Sequence, residues 1–98
     1  MIEAFQYINK AFESKVRLGI MAILMVNEEA DFNFLKEQLS LTDGNLASHT
    51  RALEELGYLV CRLLLEKKKP RTVFQATPQG REAFKSHIEA LEKFLKSK

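Results

Sequence analysis

Thr42-Asp43-Gly44-Asn45-Leu46-Ala47-Ser48-His49-Thr50-Arg51-Ala52-Leu53-Glu54-Glu55-Leu56-Gly57, followed by the run Tyr58–Glu66, Lys67-Lys68-Lys69-Pro70-Arg71, Thr72–Ala76 and Thr77-Pro78, is the stretch that decides the fold. Thr42 can cap a helix with its hydroxyl, and Gly57 stands where a helix that ends near Leu56 wants a left-handed residue. Projected at about 100° per residue, Leu46, Thr50, Leu53 and Leu56 share one side. Gly44, Ser48, Arg51 and Glu55 fall opposite, flanked by Asn45, His49 and Ala52. The two β-prone runs that follow, separated by a basic loop with a proline, predict a hairpin. Thr77-Pro78 then supplies a cap and a first-turn proline for another helix.

The pattern extends in both directions. Upstream, Asp31 can cap a two-turn segment in which Phe32, Leu35 and Leu39 line up, with Ser40-Leu41-Thr42 as the tight connector. Before it, Ser14 can cap Lys15–Val26, with Val16, Ile20, Ile23 and Leu24 inward and the polar Asn27-Glu28-Glu29 as the end. Residues 2–12 place Ile2, Phe5, Ile8 and Phe12 at helical spacing and predict one short amphipathic helix; a frayed terminus is the alternative. Downstream, Phe84, Ile88, Leu91 and Leu95 form a stripe on a helix that runs to about Lys96, near 30 Å long at 1.5 Å per residue. The order is helix, helix, short helix, helix, hairpin, long helix. The expectation is a mainly α domain with a small β-hairpin, a winged helix-turn-helix that fills residues 1–98 as one unit.

Composition agrees. The chain has 98 residues, 46% hydrophobic and 29% charged, which is an ordinary globular balance for one domain. One cysteine, Cys61, excludes an internal disulfide framework and suits a reducing compartment. The N-terminus has Glu3 where a secretory signal wants basic residues, and the longest apolar run, Leu18–Val26, is about half of the roughly 20 residues that span a bilayer. A cytoplasmic protein without a membrane partner is expected.

The formal charge is only +2, yet it is unevenly placed: residues 31–57 carry a net −3 and residues 58–72 a net +4. A reading helix buries one face and offers small or polar side chains to base edges in the major groove. Thr42, Gly44, Asn45, Ser48 and His49 meet that need, with Arg51 one turn deeper for a phosphate or a guanine. Asparagine can pair with adenine through two bonds, serine can bond to several bases, and Gly44 permits close backbone approach. The acidic balance of this stretch requires Asp43, Glu54 and Glu55 to point away from phosphates. Lys67, Lys68, Lys69 and Arg71 at the hairpin tip, with Arg62 on the strand below, can supply the missing attraction by neutralising phosphates or by entering a narrow minor groove. The plain alternative for both features is a solvated polar helix face and a charged loop that keeps a hairpin soluble.

At this point the residues also resemble a known family. Val16-Arg17-Leu18-Gly19-Ile20-Met21, Leu41–His49, Leu53-Glu54-Glu55-Leu56-Gly57-Tyr58, Pro70-Arg71-Thr72 and Thr77-Pro78-Gln79-Gly80 look like small archaeal and bacterial winged-helix regulators, relatives of the MarR and ArsR groups. The resemblance covers residues 10–95. It implies a dimer whose first and last helices, residues 1–13 and 78–98, form the subunit interface, with the third central helix as the reading element. Lys69-Pro70 stands before Arg71 where MarR-type wings usually have an aspartate. The segment Asp31–Leu39 lacks the cysteine pair of ArsR-type metal sensors.

The last helix is too long for so small a domain to cover. Its stripe of Phe84, Ile88, Leu91 and Leu95 is therefore expected to pack on a second copy together with Ile2, Phe5 and Ile8; folding back within the chain is the alternative. Two reading helices about 34 Å apart would match one DNA turn. By strand alternation Cys61 shares a face with Leu59 and Leu63 and is expected to be buried and inert rather than a thiol sensor. His49 and His87 lie on different helices without an obvious ligand set, so no metal or other cofactor is expected. No GxGxxG, phosphate loop, HExxH or nucleophile elbow is present, which argues against an enzyme. The expectation is a sequence-specific regulator that binds double-stranded DNA as a homodimer, acting as a repressor by site occupancy and open to an unidentified small-molecule effector. A winged-helix module that binds protein through the same helix face is the rival.

Overall fold

The computed structural model describes residues 2–96, with the side chain of Ile2 outside the described set. Five helices run as α1 (Ile2–Gln6), α2 (Lys15–Val26), α3 (Phe32–Leu39), α4 (Asp43–Glu55) and α5 (Pro78–Lys96). Three strands, β1 (Ala30–Asp31), β2 (Leu59–Glu66) and β3 (Lys69–Ala76), form an antiparallel sheet in the order β1-β3-β2. The fold is the expected winged helix, with two differences in its elements.

The first is at the N-terminus. The expected helix over residues 2–12 breaks after Gln6, and the chain restarts as a 3-10 turn at Lys10–Glu13. Asn9 causes the break: its side chain accepts from the Ala11 N–H at 2.8 Å, while its own N–H donates to His87 Nδ1 at 2.9 Å. Both interactions need an extended residue at this position, and Asn9 has φ −82° and ψ 121°.

The second is β1. Two residues, Ala30 and Asp31, pair with Phe74 and Val73 and add a third strand that no periodicity could announce. Asp31 then ends the strand and caps α3, its carboxylate accepting from the Phe34 N–H at 2.7 Å.

The other caps are those the sequence suggests. Ser14 Oγ accepts from the Arg17 N–H and Thr42 Oγ1 from the Asn45 N–H. Gly57 closes α4 at φ +79°, a region where a side chain is strained. Ile20, Met21, Leu24, Leu35, Leu46, Leu53 and Leu59 are fully enclosed and bind α2, α3, α4 and the base of the sheet into one core. Thr50 belongs to this face, its hydroxyl returned to the carbonyls of Leu46 and Ala47. Leu56 does not, being 44% exposed where α4 ends. Gly80 lets α5 start against the backbone of Tyr58, because a Cβ there would lie 1.9 Å from the Tyr58 carbonyl oxygen.

Cys61 corrects the sequence reading: it is exposed, as is Leu63 at 72%, while Leu59 on the same face is buried. The alternation is present, but at this register only β3 reaches the core: Phe74 is buried, while its cross-strand partner Cys61 on the edge strand β2 is exposed. What burial it retains, together with the charge of Glu54, pushes the Cys61 thiol up and keeps it protonated.

Candidate nucleic-acid interface

The α4 helix presents its first turn to solvent. Thr42, Gly44, Asn45 and Ser48 are exposed, as is Arg51 a turn further on, while Leu46, Thr50 and Leu53 hold the opposite side in the core. Open space surrounds the position a Cβ would take on Gly44. The acidic residue of this turn is neutralised locally: Lys36 on α3 reaches Asp43 at 2.9 Å. That pair removes part of the repulsion that the net charge of residues 31–57 threatens. The free N–H groups of the first turn then keep their partial positive charge toward solvent.

His49 is the exception among the reading residues. It is half-buried, and its Nδ1 accepts a hydrogen bond from Arg17 Nε at 3.2 Å. Burial first, and the neighbouring guanidinium second, hold the ring below the ordinary histidine range, so it stays neutral near pH 7.

The hairpin tip is narrower than its basic run. Lys67 and Lys68 alone make the turn, at φ 51° and 66°, and Glu66↔Lys69 and Leu65↔Pro70 are already cross-strand pairs. Two-residue loops with both central φ values positive match the twist of a hairpin but favour Asn-Gly, and lysine adopts them at a cost of roughly 1 kcal/mol each. Lys67, Lys68 and Lys69 are exposed and have no ion-pair partner among the described residues.

The arginines of the wing are held differently. Arg71 lies between two carboxylates, with Nε 3.1 Å from Asp31 and a terminal nitrogen 3.3 Å from Glu66. The hydrogen bond to Asp31 strengthens its hold on its proton, and the Asp31 carboxyl in turn lies below the usual carboxylate range, mainly through the Phe34 N–H. Arg62 is paired with Glu29 at 2.7 Å. One end of the wing is thus tied to β1 and to the α3 cap through Arg71 and Asp31. Sequence reasoning placed Arg71 among the groups that contact DNA and missed Asp31, Glu29, Lys36 and Arg17 as partners. Those partners lie 32 or more residues away for Arg62, Arg71 and His49, so only the folded chain brings them together.

The residues expected at a subunit interface divide. Phe84 is half-buried and packs edge-on against Phe12, with ring centroids 5.6 Å apart, so it faces its own domain. Ile8, Ile88 and Leu91 are half-buried, while Phe5 at 63% and Leu95 at 82% are exposed. Phe5 approaches Phe94 at 6.1 Å as α1 folds onto α5. The side chain of Ile2, expected at the same interface, lies outside the described residues. An open cavity of about 590 Å³ lies between α1 and α5, bordered by Glu3, Tyr7, Ser86 and Glu89. Among the described residues no helix is long and apolar enough to cross a membrane.

Comparison with known proteins places this arrangement. Residues 16–95 match the winged helix DNA-binding domain. An uncharacterised protein of Methanocaldococcus jannaschii is 44% identical over 79 residues, which cover 81% of this chain and 86% of that one. A transcriptional regulator homologue from Pyrococcus horikoshii OT3 superposes with a TM-score of 0.88 at 33% identity, covering 97% of this chain and 95% of that chain. The DNA complex of MepR from S. aureus shares the fold at a TM-score of 0.75 and 12% identity, over 96% of this chain and 80% of that one. The chain belongs to the winged helix DNA-binding domain family and shares its architecture with transcriptional regulators of the MarR type.

Proposed function

We propose that this protein is a sequence-specific regulator of transcription that binds double-stranded DNA as a homodimer and represses by occupying its site in the cytoplasm. The α4 helix enters the major groove with Thr42, Gly44, Asn45, Ser48 and His49 at base edges and Arg51 near the backbone. The hairpin tip lies along phosphates, where Lys67, Lys68 and Lys69 act directly, and Arg71 holds the tip in place. One observation carries this reading: the wing tip holds three exposed lysines with no ion-pair partner among the described residues, while Lys36, Arg62 and Arg71 are occupied by internal carboxylates. Phe5, Ile8, Ile88, Leu91 and Leu95, with Ile2, pair two subunits, and the cavity between α1 and α5 offers room for a small effector.

The three lysines and Arg51 provide four phosphate partners per subunit, so a dimer should show a log–log salt slope of roughly −7. Replacing Lys67, Lys68 and Lys69 by Ala should bring the slope to about −2, as measured by fluorescence anisotropy between 50 and 200 mM salt. Failure of the unaltered protein to bind any genomic fragment at the lower salt would refute the reading.

A second reading, a module that binds protein, is favoured by Leu63 and Leu65, which stand 72% and 76% exposed on one face of the wing. The same lysine variant separates the two. It should retain a protein partner held by leucines or by the α4 face, whereas DNA binding should collapse.

A further inference from the structure

Arg17 lies in the first turn of α2, its backbone N–H held by the Ser14 hydroxyl at 3.3 Å. From there its Nε–H crosses to His49 Nδ1 on α4 at 3.2 Å. A guanidinium is only a donor, so Nδ1 must present a lone pair and the single proton of the neutral ring must sit on Nε2. The environment keeps the ring neutral. At three- and four-residue spacing along α4, His49 has Asn45, Leu46, Ala52 and Leu53, none of them charged. From α3, Lys36 is turned to Asp43, and among the described residues Arg17 is the charged group that acts on the ring, opposing a second positive charge. The imidazole is half-buried with Nδ1 fixed, so Nε2–H is the polar atom left to meet a ligand.

We propose that Arg17 is a specificity-determining positioning residue: it locks His49 as the neutral Nε2–H tautomer, so that α4 presents one fixed hydrogen-bond donor to an acceptor on a base edge. Guanine N7 and O6, adenine N7 and thymine O4 satisfy that donor, and the cytosine amino group does not. This assignment rests on the DNA-binding reading above. It adds that one base position is chosen by a residue of the preceding helix that need not touch DNA at all.

Long-range proton–nitrogen spectra of the imidazole rings test the lock on the free protein, without DNA. In the unaltered protein the His49 Nδ1 signal should be that of an acceptor nitrogen, and the ring should titrate below about 6.5. Arg17→Met should raise the His49 titration toward that value and shift Nδ1, and Arg17→Lys should restore the field without the planar Nε–H. An Nδ1–H ring, or a titration unchanged in Arg17→Met, overturns the lock. Selection from random duplexes tests the reading of the base. The unaltered protein should disfavour cytosine at one half-site position by roughly fivefold. His49→Ala should lose that preference at every pH. Arg17→Met should weaken it at pH 7.5, where the freed neutral ring can carry its proton on either nitrogen, and regain it toward pH 5.5, where the protonated ring donates from Nε2 again. Identical selected sites for the unaltered protein and His49→Ala overturn the base assignment even when the lock is confirmed. Binding of no duplex by the unaltered protein overturns the DNA-binding reading and the base assignment with it, and the ring spectra still report separately whether Arg17 holds the tautomer.

Discussion

Gly44 and Gly80 show how differently one residue type can be used. At Gly80 a methyl group would collide with the Tyr58 carbonyl, so Gly80→Ala cannot be accommodated without moving α5 or β2. At Gly44 nothing lies within 4 Å, and the glycine only weakens the helix. Gly44→Ala should therefore raise stability by about 0.5 kcal/mol in thermal or urea unfolding while it weakens DNA binding, if the backbone there approaches a base edge. Equal affinity for both proteins would place the groove contact elsewhere. His87 is a second position with an unused property. It is 3% exposed, its Nδ1 accepts from the Asn9 N–H, and burial holds the ring below the ordinary histidine range. The unfolded chain therefore binds more protons than the folded one below about pH 6.5, and stability should fall as the pH drops through that window. His87→Phe should flatten the slope seen in urea unfolding from pH 7 to pH 5, leaving the part due to His49.

At the scale of elements, the hairpin carries the largest conflict between local preference and structure. Its turn puts two lysines in the left-handed region, where Asn-Gly would be relaxed. Lys67→Asn combined with Lys68→Gly should raise stability by about 1 kcal/mol, or several degrees in Tm, by relieving that strain. The same change should reduce the salt slope of DNA binding by about 4, since two charges leave each of two subunits. An increase in stability without loss of slope would mean that the tip does not touch phosphate. The Asp31–Arg71 pair connects the hairpin to the cap of α3, so the wing and the first helix of the turn are positioned by one carboxylate. Replacement of Asp31 by Ala should lower stability by about 1 kcal/mol through the lost cap, which a shift of the urea midpoint would report.

The whole molecule is elongated, 56 × 25 × 21 Å, with a radius of gyration of 14.8 Å where about 13 Å suits a compact chain of 100 residues. The excess lies in the wing and in the end of α5, both of which project beyond the core. Phe5 and Leu95 are exposed in the single chain, so charging them should cost that chain little. If they cover a partner, Phe5→Lys combined with Leu95→Lys should halve the mass seen by sedimentation equilibrium and leave the helical circular dichroism intact. DNA affinity should drop with it, because two linked half-sites become one. An unaltered protein that already sediments as a monomer would instead assign α1 alone as the cover of α5.

The sequence by itself determined the order of the elements, the caps Ser14, Asp31 and Thr42, the left-handed Gly57 and most of the core. These are set by short-range rules: a hydroxyl or carboxylate at a helix start, an apolar residue every third or fourth place, a proline in a first turn. The polar face of α4 and the lysine tip were legible for the same reason. Only the tertiary structure decided which charges remain free. Lys36, Arg62 and Arg71 look like Lys67–Lys69 in the sequence, and folding sets them against Asp43, Glu29, Asp31 and Glu66. It likewise exposed Cys61, added β1, broke the first helix at Asn9 and gave His49 a partner 32 residues away. Each depends on what a distant segment brings within a few ångströms, and the spacing of residues along one helix or strand has no term for that.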